Sequence, residues 1–252
     1  MRLASLNLLH GRSLFDGLVE PSRLREAVQL LAPDVVGLQE VDRDQPRSHR
    51  IDLTRTVAES LDAEHWRFAP ALIGEPGAIW RAAVEDEAAG EPSYGVGLVS
   101  RYPVRSWHVL RLAAASVRSP VMLPGTRQLI WLRDEPRVGL AAVIETPMGV
   151  MTIATTHLSF VPVWNGVQLR TLTAFLAKLP QPCVLLGDLN MPPPFPRVLS
   201  GWRSLAKVKT YPATDPRIQL DHVLGRGDLP PVRAVDNPEL AVSDHRALLV
   251  EL

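Results

Sequence analysis

The stretch that decides the fold is residues 183–190, Cys-Val-Leu-Leu-Gly-Asp-Leu-Asn. The apolar run from Cys183 to Gly187 is typical of a buried strand. Asp188 and Asn190 are two residues apart, so on an extended backbone their side chains point the same way. A rigid triplet, Pro192-Pro193-Pro194, follows. The segment predicts a strand that delivers a carboxylate and an amide to a site; the alternative interpretation is an Asx turn, which often precedes prolines.

Polar residues also follow other apolar strands, where side chains emerge from a rigid sheet. Asn7 follows Leu3–Leu6, Glu40 ends the strand predicted over 34–39, and His157 ends the strand predicted over 150–157. Taken singly, each is more often a turn former or a solvated side chain. They become informative only together with the pair of Asp188 and Asn190.

Two Asp-His pairs lie near the C-terminus. In Ser243-Asp244-His245, Asp244 offers a hard oxygen ligand for Mg²⁺ and His245 titrates near neutrality. Asp221 interrupts the otherwise apolar strand 220–224, where an unpaired buried charge is costly, so it needs a partner such as a histidine. An isolated Asp-His pair is more often structural.

Helical spacing of apolar residues predicts helices from Pro21 to Pro33, over 52–62 and over 165–178. Residues 73–93 lack periodicity and contain the acidic trio 85–87, which predicts a loop; we hypothesise that it gates substrate entry. Strands are predicted over 2–8, 34–39, 95–100, 104–110, 128–133, 138–145, 150–157, 183–187, 218–224, 232–235 and 246–251. This order favours one α/β domain over 1–252, with two mixed β-sheets packed face to face and helices outside.

Composition narrows the class of protein. Hydrophobic residues make up 46% of the chain and charged residues 21%, as in an ordinary globular protein. The 27 basic residues balance the 27 acidic ones, which argues against tight non-specific DNA binding but leaves room for a local basic rim. The longest apolar runs, such as 138–144, are too short to span a membrane. The single Cys183 excludes an intrachain disulfide, and we expect a cytoplasmic protein.

Seven segments occur in the order that is found in the endonuclease/exonuclease/phosphatase superfamily, and together they resemble it. This superfamily includes pancreatic-type deoxyribonucleases, abasic-site endonucleases, sphingomyelinases and inositol polyphosphate phosphatases. The resemblance implies a four-layered α/β sandwich with the site at one edge of both sheets. The segments are Ser5-Leu6-Asn7, Leu38-Gln39-Glu40, 95–100 (Gly-Val-Gly-Leu-Val-Ser), Thr156-His157-Leu158, 187–190, Leu220-Asp221-His222 and Ser243-Asp244-His245.

The resemblance also implies a Mg²⁺ site, with Mn²⁺ as an alternative ion. Asn7 and Glu40 would hold the metal, and Asp244 would lie near enough to ligate it or its water. Several nuclease branches have an acidic residue two positions after the asparagine, where this chain has Leu9. A second metal ion near that position is therefore not expected.

Catalytic roles carry over in the same way. His245 would contact the scissile phosphate and act in proton transfer, with Asp221 orienting its ring. Asp188 would position or deprotonate the attacking water. Asn190 and His157 would donate hydrogen bonds to phosphate oxygens.

Cationic residues near the predicted site have two interpretations. Arg137 resembles a phosphate-contacting arginine of some family members, although a charge in a turn is an equal alternative. Arg43, Arg47, His49 and Arg50 follow Glu40 and could touch a phosphate-rich substrate, but a solvated turn is the commoner explanation.

The leading hypothesis is metal-dependent hydrolysis of a phosphate ester by an activated water. The substrate would be nucleic acid, a small molecule or a lipid headgroup, with nuclease, sphingomyelinase-like and inositol-phosphatase-like activities all open, and no protein partner is implied. A catalytically silent binding module on the same fold is the alternative. A Ser/His/Asp hydrolase is disfavoured because no Gly-x-Ser-x-Gly elbow is present and Ser243 suits a turn.

Overall fold

The computed structural model describes residues 1–84, 90–122 and 129–252. Within these ranges the helices are α1 (Pro21–Leu31), α2 (Leu53–Ser60), α3 (Trp164–Leu176) and α4 (Phe195–Ser200). The strands are β1 (Arg2–Asn7), β2 (Val35–Arg43), β3 (His65–Gly74), β4 (Trp80–Ala82), β5 (Ser93–Ser100), β6 (Val104–Leu112), β7 (Arg118–Met122), β8 (Leu129–Arg133), β9 (Arg137–Thr146), β10 (Gly149–His157), β11 (Cys183–Asp188), β12 (Arg203–Ser204), β13 (Asp221–Arg226), β14 (Ala234–Asp236) and β15 (Leu248–Glu251).

Two mixed sheets form the centre of the molecule. One has seven strands in the order β14-β15-β1-β2-β5-β3-β4, and the other has six in the order β12-β13-β11-β10-β9-β6. In the first sheet β1 pairs in parallel with β2, and in the second β10 pairs in parallel with β11. Strands β7 and β8 form a separate two-stranded ribbon.

Three apolar cores separate four layers, which confirms the predicted sandwich. The core between the sheets contains Ile153 and Leu186, whereas Leu185, the neighbour of Leu186, packs in the core beneath α3. Successive strand residues point to opposite faces, so both faces of β11 are covered and its sequence is apolar throughout. Val28 of α1 and Val57 of α2 belong to the third core, on the outer face of the seven-stranded sheet. Each such burial contributes about 1.5–3 kcal/mol.

The two sheets approach each other closely next to the predicted site. A Cβ added at Gly37 would lie 2.7 Å from Thr155 Oγ1 on the other sheet. Two residues further along β2, Gln39 Nε2 donates a hydrogen bond to the same Thr155 Oγ1 at 2.9 Å. The small glycine and the polar bridge therefore bring the site-bearing ends of β2 and β10 together.

Several element boundaries differ from the sequence-based predictions. Strand β2 does not end before Glu40 but runs to Arg43, with a bulge between Leu38 and Val41 in its pairing with β5. Strand β13 begins at Asp221 rather than 218, because Ile218 instead forms an isolated bridge with Tyr211. Asp188 keeps its predicted place at the end of β11.

The predicted loop over 73–93 is wrong in part. Strand β3, which the sequence did not reveal, runs to Gly74, and the short β4 pairs back onto it. The charged start of β3 and Pro70, which lies at a register shift, hide the alternation that marks a strand. Residues 85–89, which include the acidic trio, lie outside the described residues.

None of the helices in the described ranges has the length and apolar character that crossing a membrane requires.

Candidate active site

Strand register brings three of the predicted residues into a row. On the six-stranded sheet, His157 of β10 lies opposite Asp188 of β11, and Asp188 lies opposite Asp221 of β13. Directly opposed residues in neighbouring strands are about 5 Å apart, close enough for their side chains to interact. The row crosses the end of three adjacent strands, which explains why residues far apart in sequence meet.

The seven-stranded sheet contributes Asn7 and Glu40. Asn7 Nδ2 donates hydrogen bonds to Glu40 Oε1 at 3.1 Å and to Asp188 Oδ2 at 3.2 Å, which links the two sheets. Asn7 Oδ1 accepts a hydrogen bond from the backbone N–H of Leu9 at 3.0 Å. Asn7 therefore positions two carboxylates here, and direct metal ligation by its oxygen stays a prediction.

Glu40 reaches the site because β2 bulges. Its φ is 53°, a left-handed backbone conformation that is uncommon outside glycine, asparagine and aspartate. Bulges often re-aim a side chain beside active sites. The sequence placed Glu40 at the site by resemblance, but the bulge that orients it is a tertiary feature.

Asp188 serves two purposes through its two oxygens. Its Oδ1 accepts a hydrogen bond from the N–H of Asn190 at 2.9 Å, which closes an Asx turn. Its Oδ2 faces Asn7, His157 Nε2 at 3.5 Å and His245 Nε2 at 3.8 Å. The Asx turn of the alternative interpretation is therefore present, and the functional role of Asp188 stays a prediction.

His245 is held by a buried carboxylate. Its Nδ1 lies 2.8 Å from Asp221 Oδ2, and Asp221 is fully buried. The hydroxyl of Thr210 accepts a hydrogen bond from the backbone N–H of Asp221 at 3.2 Å. In the same way Ser243 Oγ accepts a hydrogen bond from the backbone N–H of His245 at 3.0 Å. The Tyr211 ring packs against the imidazole, with centroids 4.8 Å apart. Nε2 of His245 is thus left to face Asp188 and the cleft.

The two histidines carry different charges at neutral pH. Burial opposes protonation of His245, but the carboxylates of Asp221 and Asp188 outweigh it and raise its pKa to about 10. Burial and the Arg137 guanidinium hold the pKa of His157 well below its usual value. His245 is therefore an imidazolium that can stabilise phosphate charge, and His157 is a neutral imidazole.

We expect Asp221→Asn to change the pH dependence of activity. In the wild type His245 stays protonated until the pH approaches 10, so its charge is constant through neutrality. Loss of the Asp221 charge lowers the pKa of His245, so activity should fall as pH rises through the neutral range, by about 100-fold at the alkaline end. Profiles of kcat/KM against pH test this, with the exposed Asp62→Asn as the matched control. A profile with the same shape as the wild type would contradict the assignment.

Glu40 and Asp244 form the best-suited cation site among the described residues. Burial raises the pKa of Glu40, and repulsion from the nearby Asp244 carboxylate raises it further, with a smaller opposing effect from the Asn7 hydrogen bond. Both carboxylates line the same cleft. Two carboxylates that repel each other at a cleft are the hard-oxygen donors that Mg²⁺ binds, so the residues fit a divalent cation.

A second cluster could also offer metal ligands. One ligand atom from each of Asp188, Asp221 and His245 lies within 4.8 Å of the others. However, Asp221 Oδ2 and His245 Nδ1 are already joined by a short hydrogen bond, and a cation between them would have to displace it. We therefore favour the pair of Glu40 and Asp244 for the metal.

Arg137 and Asn190 surround His157. Arg137 Nη1 lies 3.4 Å from His157 Nδ1, and Asn190 Nδ2 lies 3.0 Å from His157 Nε2. Asn190 Nδ2 also donates to the Leu158 carbonyl at 2.9 Å. Arg137 is buried at the start of β9, with Asp134 Oδ1 3.8 Å from its Nη2, so it lies at the site rather than in an exposed turn.

The cleft above these residues has a volume of about 400 Å³. The lining residues that the sequence did not reveal come mostly from loops and from β5 and β8, where no motif marks them. They are Gly77, Tyr94, Leu132, Arg133, Glu135, Phe160 and Tyr211, whereas Leu220 belongs to the segment 220–222 that the sequence singled out. Gly77 belongs to the segment for which a gating role was hypothesised, and that role stays a prediction.

The cationic cluster after Glu40 is largely used by the fold. Arg47 makes a two-pronged ion pair with the buried Asp42, at 2.8 and 2.7 Å. Arg43 lies over the Phe68 ring at 4.7 Å, and His49 Nε2 contacts the Val19 carbonyl at 2.8 Å. These contacts favour a structural role for the cluster.

Comparison with known proteins agrees with the fold and the order of the site residues. The model of the Endonuclease/Exonuclease/phosphatase family matches residues 4–245, nearly the whole chain. The protein therefore belongs to this family of phosphoesterases, whose members generally depend on a divalent cation. No curated protein sequence matches the chain.

Solved structures with the same fold come from several bacteria. An endonuclease/exonuclease/phosphatase from Beutenbergia cavernae is 22% identical, with a TM-score of 0.68 over 99% of this chain and 70% of the other. Sphingomyelinase C from Streptomyces griseocarneus is 17% identical, with a TM-score of 0.63 over 99% and 98%. A mannosyl-6-phosphatase from Bacteroides thetaiotaomicron is 15% identical, with a TM-score of 0.60 over 100% and 98%. At these identities the likeness concerns the fold alone.

Proposed function

We propose that this protein hydrolyses a phosphate ester with the help of a divalent cation, Mg²⁺ or Mn²⁺. The observation that carries the proposal is the meeting of Asp188, the Asp221–His245 pair and the carboxylates of Glu40 and Asp244 at one cleft. Such a site combines a proton acceptor, a fixed imidazolium and a cation site. Hydrolysis of a phosphate ester needs these three groups.

Asp188 is the proposed proton acceptor. Burial raises its pKa to about 7 against the opposing effect of His245, which brings its proton affinity near the value suited to general base catalysis at neutral pH. Asn7 and Asn190 hold its two oxygens in place. It would take a proton from the attacking water as the new oxygen–phosphorus bond forms.

His245 and Arg137 would stabilise the charge on the phosphate. His245 directs its Nε2–H to a non-bridging oxygen, and the guanidinium of Arg137 supplies further N–H donors, whereas the Asn190 amide nitrogen already contacts His157 Nε2 and the Leu158 carbonyl. The bond from phosphorus to the leaving oxygen breaks, and that oxygen takes a proton from solvent. A bound cation would add positive charge at the phosphate oxygens and lower the pKa of a coordinated water.

The proposal is tested by assaying several phosphate esters side by side. Oligonucleotides, sphingomyelin in vesicles, an inositol polyphosphate and a sugar monophosphate cover the substrate classes, each with Mg²⁺, with Mn²⁺ and with EDTA. We expect turnover of at least one class with metal and none in EDTA. Activity that persists in EDTA, or no turnover on any class, would refute the proposal.

Metal binding can be measured without a substrate. A ligand that binds only the folded state at 100 times its Kd stabilises it by about 2.7 kcal/mol, so Mg²⁺ should raise the melting temperature measurably. Glu40→Gln should lose this shift, whereas Glu59→Gln, an exposed residue of α2, should keep it. Equal shifts in the two variants would show that Glu40 does not hold the ion.

The same two measurements address the alternative, a silent binding module. That alternative predicts phosphate-ester binding without turnover on every substrate class. The buried Asp221–His245 pair favours catalysis, because an exposed binding surface does not need a histidine fixed by a carboxylate that is costly to bury.

A further inference from the structure

A groove lies beside the catalytic cleft and has no part in the proposed reaction. Its volume is about 560 Å³, larger than that of the cleft. Its floor is formed by proline rings and aliphatic side chains, among them Pro196, Ile218 and Leu224. Four basic side chains line it, namely Arg197, Lys207, Lys209 and Arg217.

The charge of the groove is strongly one-sided. Arg217 pairs with Asp215 at 2.8 Å, whereas Lys207 and Lys209 are exposed and form no ion pair with any residue that the structure describes. The chain has three lysines in all, and two of them stand here. Because the whole chain has no net charge, this is a local basic field that the overall composition conceals.

The groove and the cleft share their walls. Asn190 lines the cleft, and the groove begins two residues later at Pro192. In the same way Leu220 lines the cleft, while its neighbour Gln219 lines the groove. Consecutive Cα atoms are about 3.8 Å apart, so the same two chain segments border both the cleft and the groove.

The cleft and the groove differ in charge, and this difference suits a substrate that carries several phosphates. The cleft is lined by four acidic residues, Glu40, Glu135, Asp188 and Asp244, and by two arginines, Arg133 and Arg137, so it accepts one phosphate with the aid of a cation, His245 and the arginines. A neighbouring phosphate of the same substrate would be repelled there unless it had counter-charges of its own. The groove provides these, with an apolar floor for sugars and bases.

We propose that this groove binds a single-stranded nucleic acid segment that flanks the scissile phosphate. The inference rests on the proposed phosphate-ester hydrolysis and gives its substrate class. Positively charged grooves that follow the backbone commonly hold single strands, and here proline rings and aliphatic side chains would face the bases in place of the usual aromatic ones. A duplex would need a broader basic surface than this one groove offers.

The test is a binding measurement with the full-length protein in Mg²⁺. The probe is a fluorescent phosphorothioate oligothymidylate of about 12 nucleotides, within the usual site size of a single-strand binder, which keeps its charge but resists hydrolysis. The double variant Lys207→Gln/Lys209→Gln removes both unpaired lysines. Lys178→Gln, the exposed third lysine outside the groove, is the matched control.

We expect the double variant to bind the oligonucleotide with a Kd about tenfold higher at low salt. The plot of log K against log salt should also become less steep, its negative slope shrinking in magnitude by about 1.4, or 0.7 for each lysine. Lys178→Gln should leave both values unchanged. Equal Kd and slope in the two variants would overturn the proposal. A second result would also overturn it: the wild type binds phosphatidylserine vesicles but not the oligonucleotide, and the double variant binds the vesicles more weakly.

The binding readout separates this inference from the proposed function. If the wild type binds the oligonucleotide through the groove but hydrolyses none of the phosphate esters assayed, the proposed reaction is wrong and the groove assignment stands. If it hydrolyses a phosphate ester without binding the oligonucleotide, the reaction stands and the groove assignment falls.

Discussion

His245→Ala should lower kcat/KM on the true substrate by about 10²–10³-fold, the range for loss of a preorganised donor that stabilises charge in the transition state. The substitution removes the only side chain that joins Asp221 to Asp188 among the described residues, with contacts at 2.8 and 3.8 Å. It also removes the positive charge that those carboxylates maintain on the imidazole. Loss of kcat with little change in KM is expected, because the charge acts mainly in the transition state.

A fold check must accompany this variant, because alanine leaves the buried Asp221 carboxylate without its charged partner, at a cost of about 3–5 kcal/mol. His245→Gln retains a side-chain donor and should fold more readily while it remains inactive. His49→Ala makes a like change at an exposed histidine outside the cleft and should keep full activity. If His245→Gln folds and retains wild-type kcat, the catalytic role of His245 is wrong.

Asp188→Asn should lower kcat by about 10²–10⁴-fold, a loss comparable to that expected for His245→Ala. The amide is nearly the same size as the carboxylate, so the Asx turn to Asn190 can persist. The lost property is the ability to accept a proton from water at neutral pH. An amide nitrogen would also face the Asn7 donor, which now contacts Oδ2 at 3.2 Å.

The metal-linked thermal shift distinguishes this role from metal ligation. Asp188→Asn should keep the rise in melting temperature with Mg²⁺, because Glu40 and Asp244 hold the ion, whereas Glu40→Gln should lose it. Titration of both variants with Mg²⁺ and single-turnover kinetics at saturating metal provide the comparison. An Asp188→Asn protein that loses the shift would be lacking a metal ligand rather than a base.

The strands of the two sheet centres were predictable because both of their faces are buried. Such strands are short apolar runs, as in 183–187, and Asp188 at their end was correctly placed. Strand β3 was not predictable, since its first three residues are polar or only half-buried and Pro70 interrupts its pairing. The bulge at Glu40 was likewise hidden, because it depends on how β2 pairs with β5.

The residues that belong to the site and the contacts between their atoms are determined at different levels of structure. The order of seven short segments in the sequence indicated the family, the sandwich and the residues of the site, since each segment keeps its place along the chain. Which atoms meet was decided by tertiary structure alone. The register that sets Asp188 between His157 and Asp221 arises from pairing of β10, β11 and β13 over long sequence separations.

The sequence by itself determined that the protein is an α/β sandwich whose strand ends carry carboxylates, amides and histidines. Short apolar runs and the turn residues that follow them encode this locally, within a few residues of each strand end. Only the tertiary structure decided that Asn7 donates to Glu40 and Asp188, that His245 is an imidazolium while His157 is neutral, and that a basic groove adjoins the cleft. These properties depend on burial and on distances between remote segments, which no local pattern records.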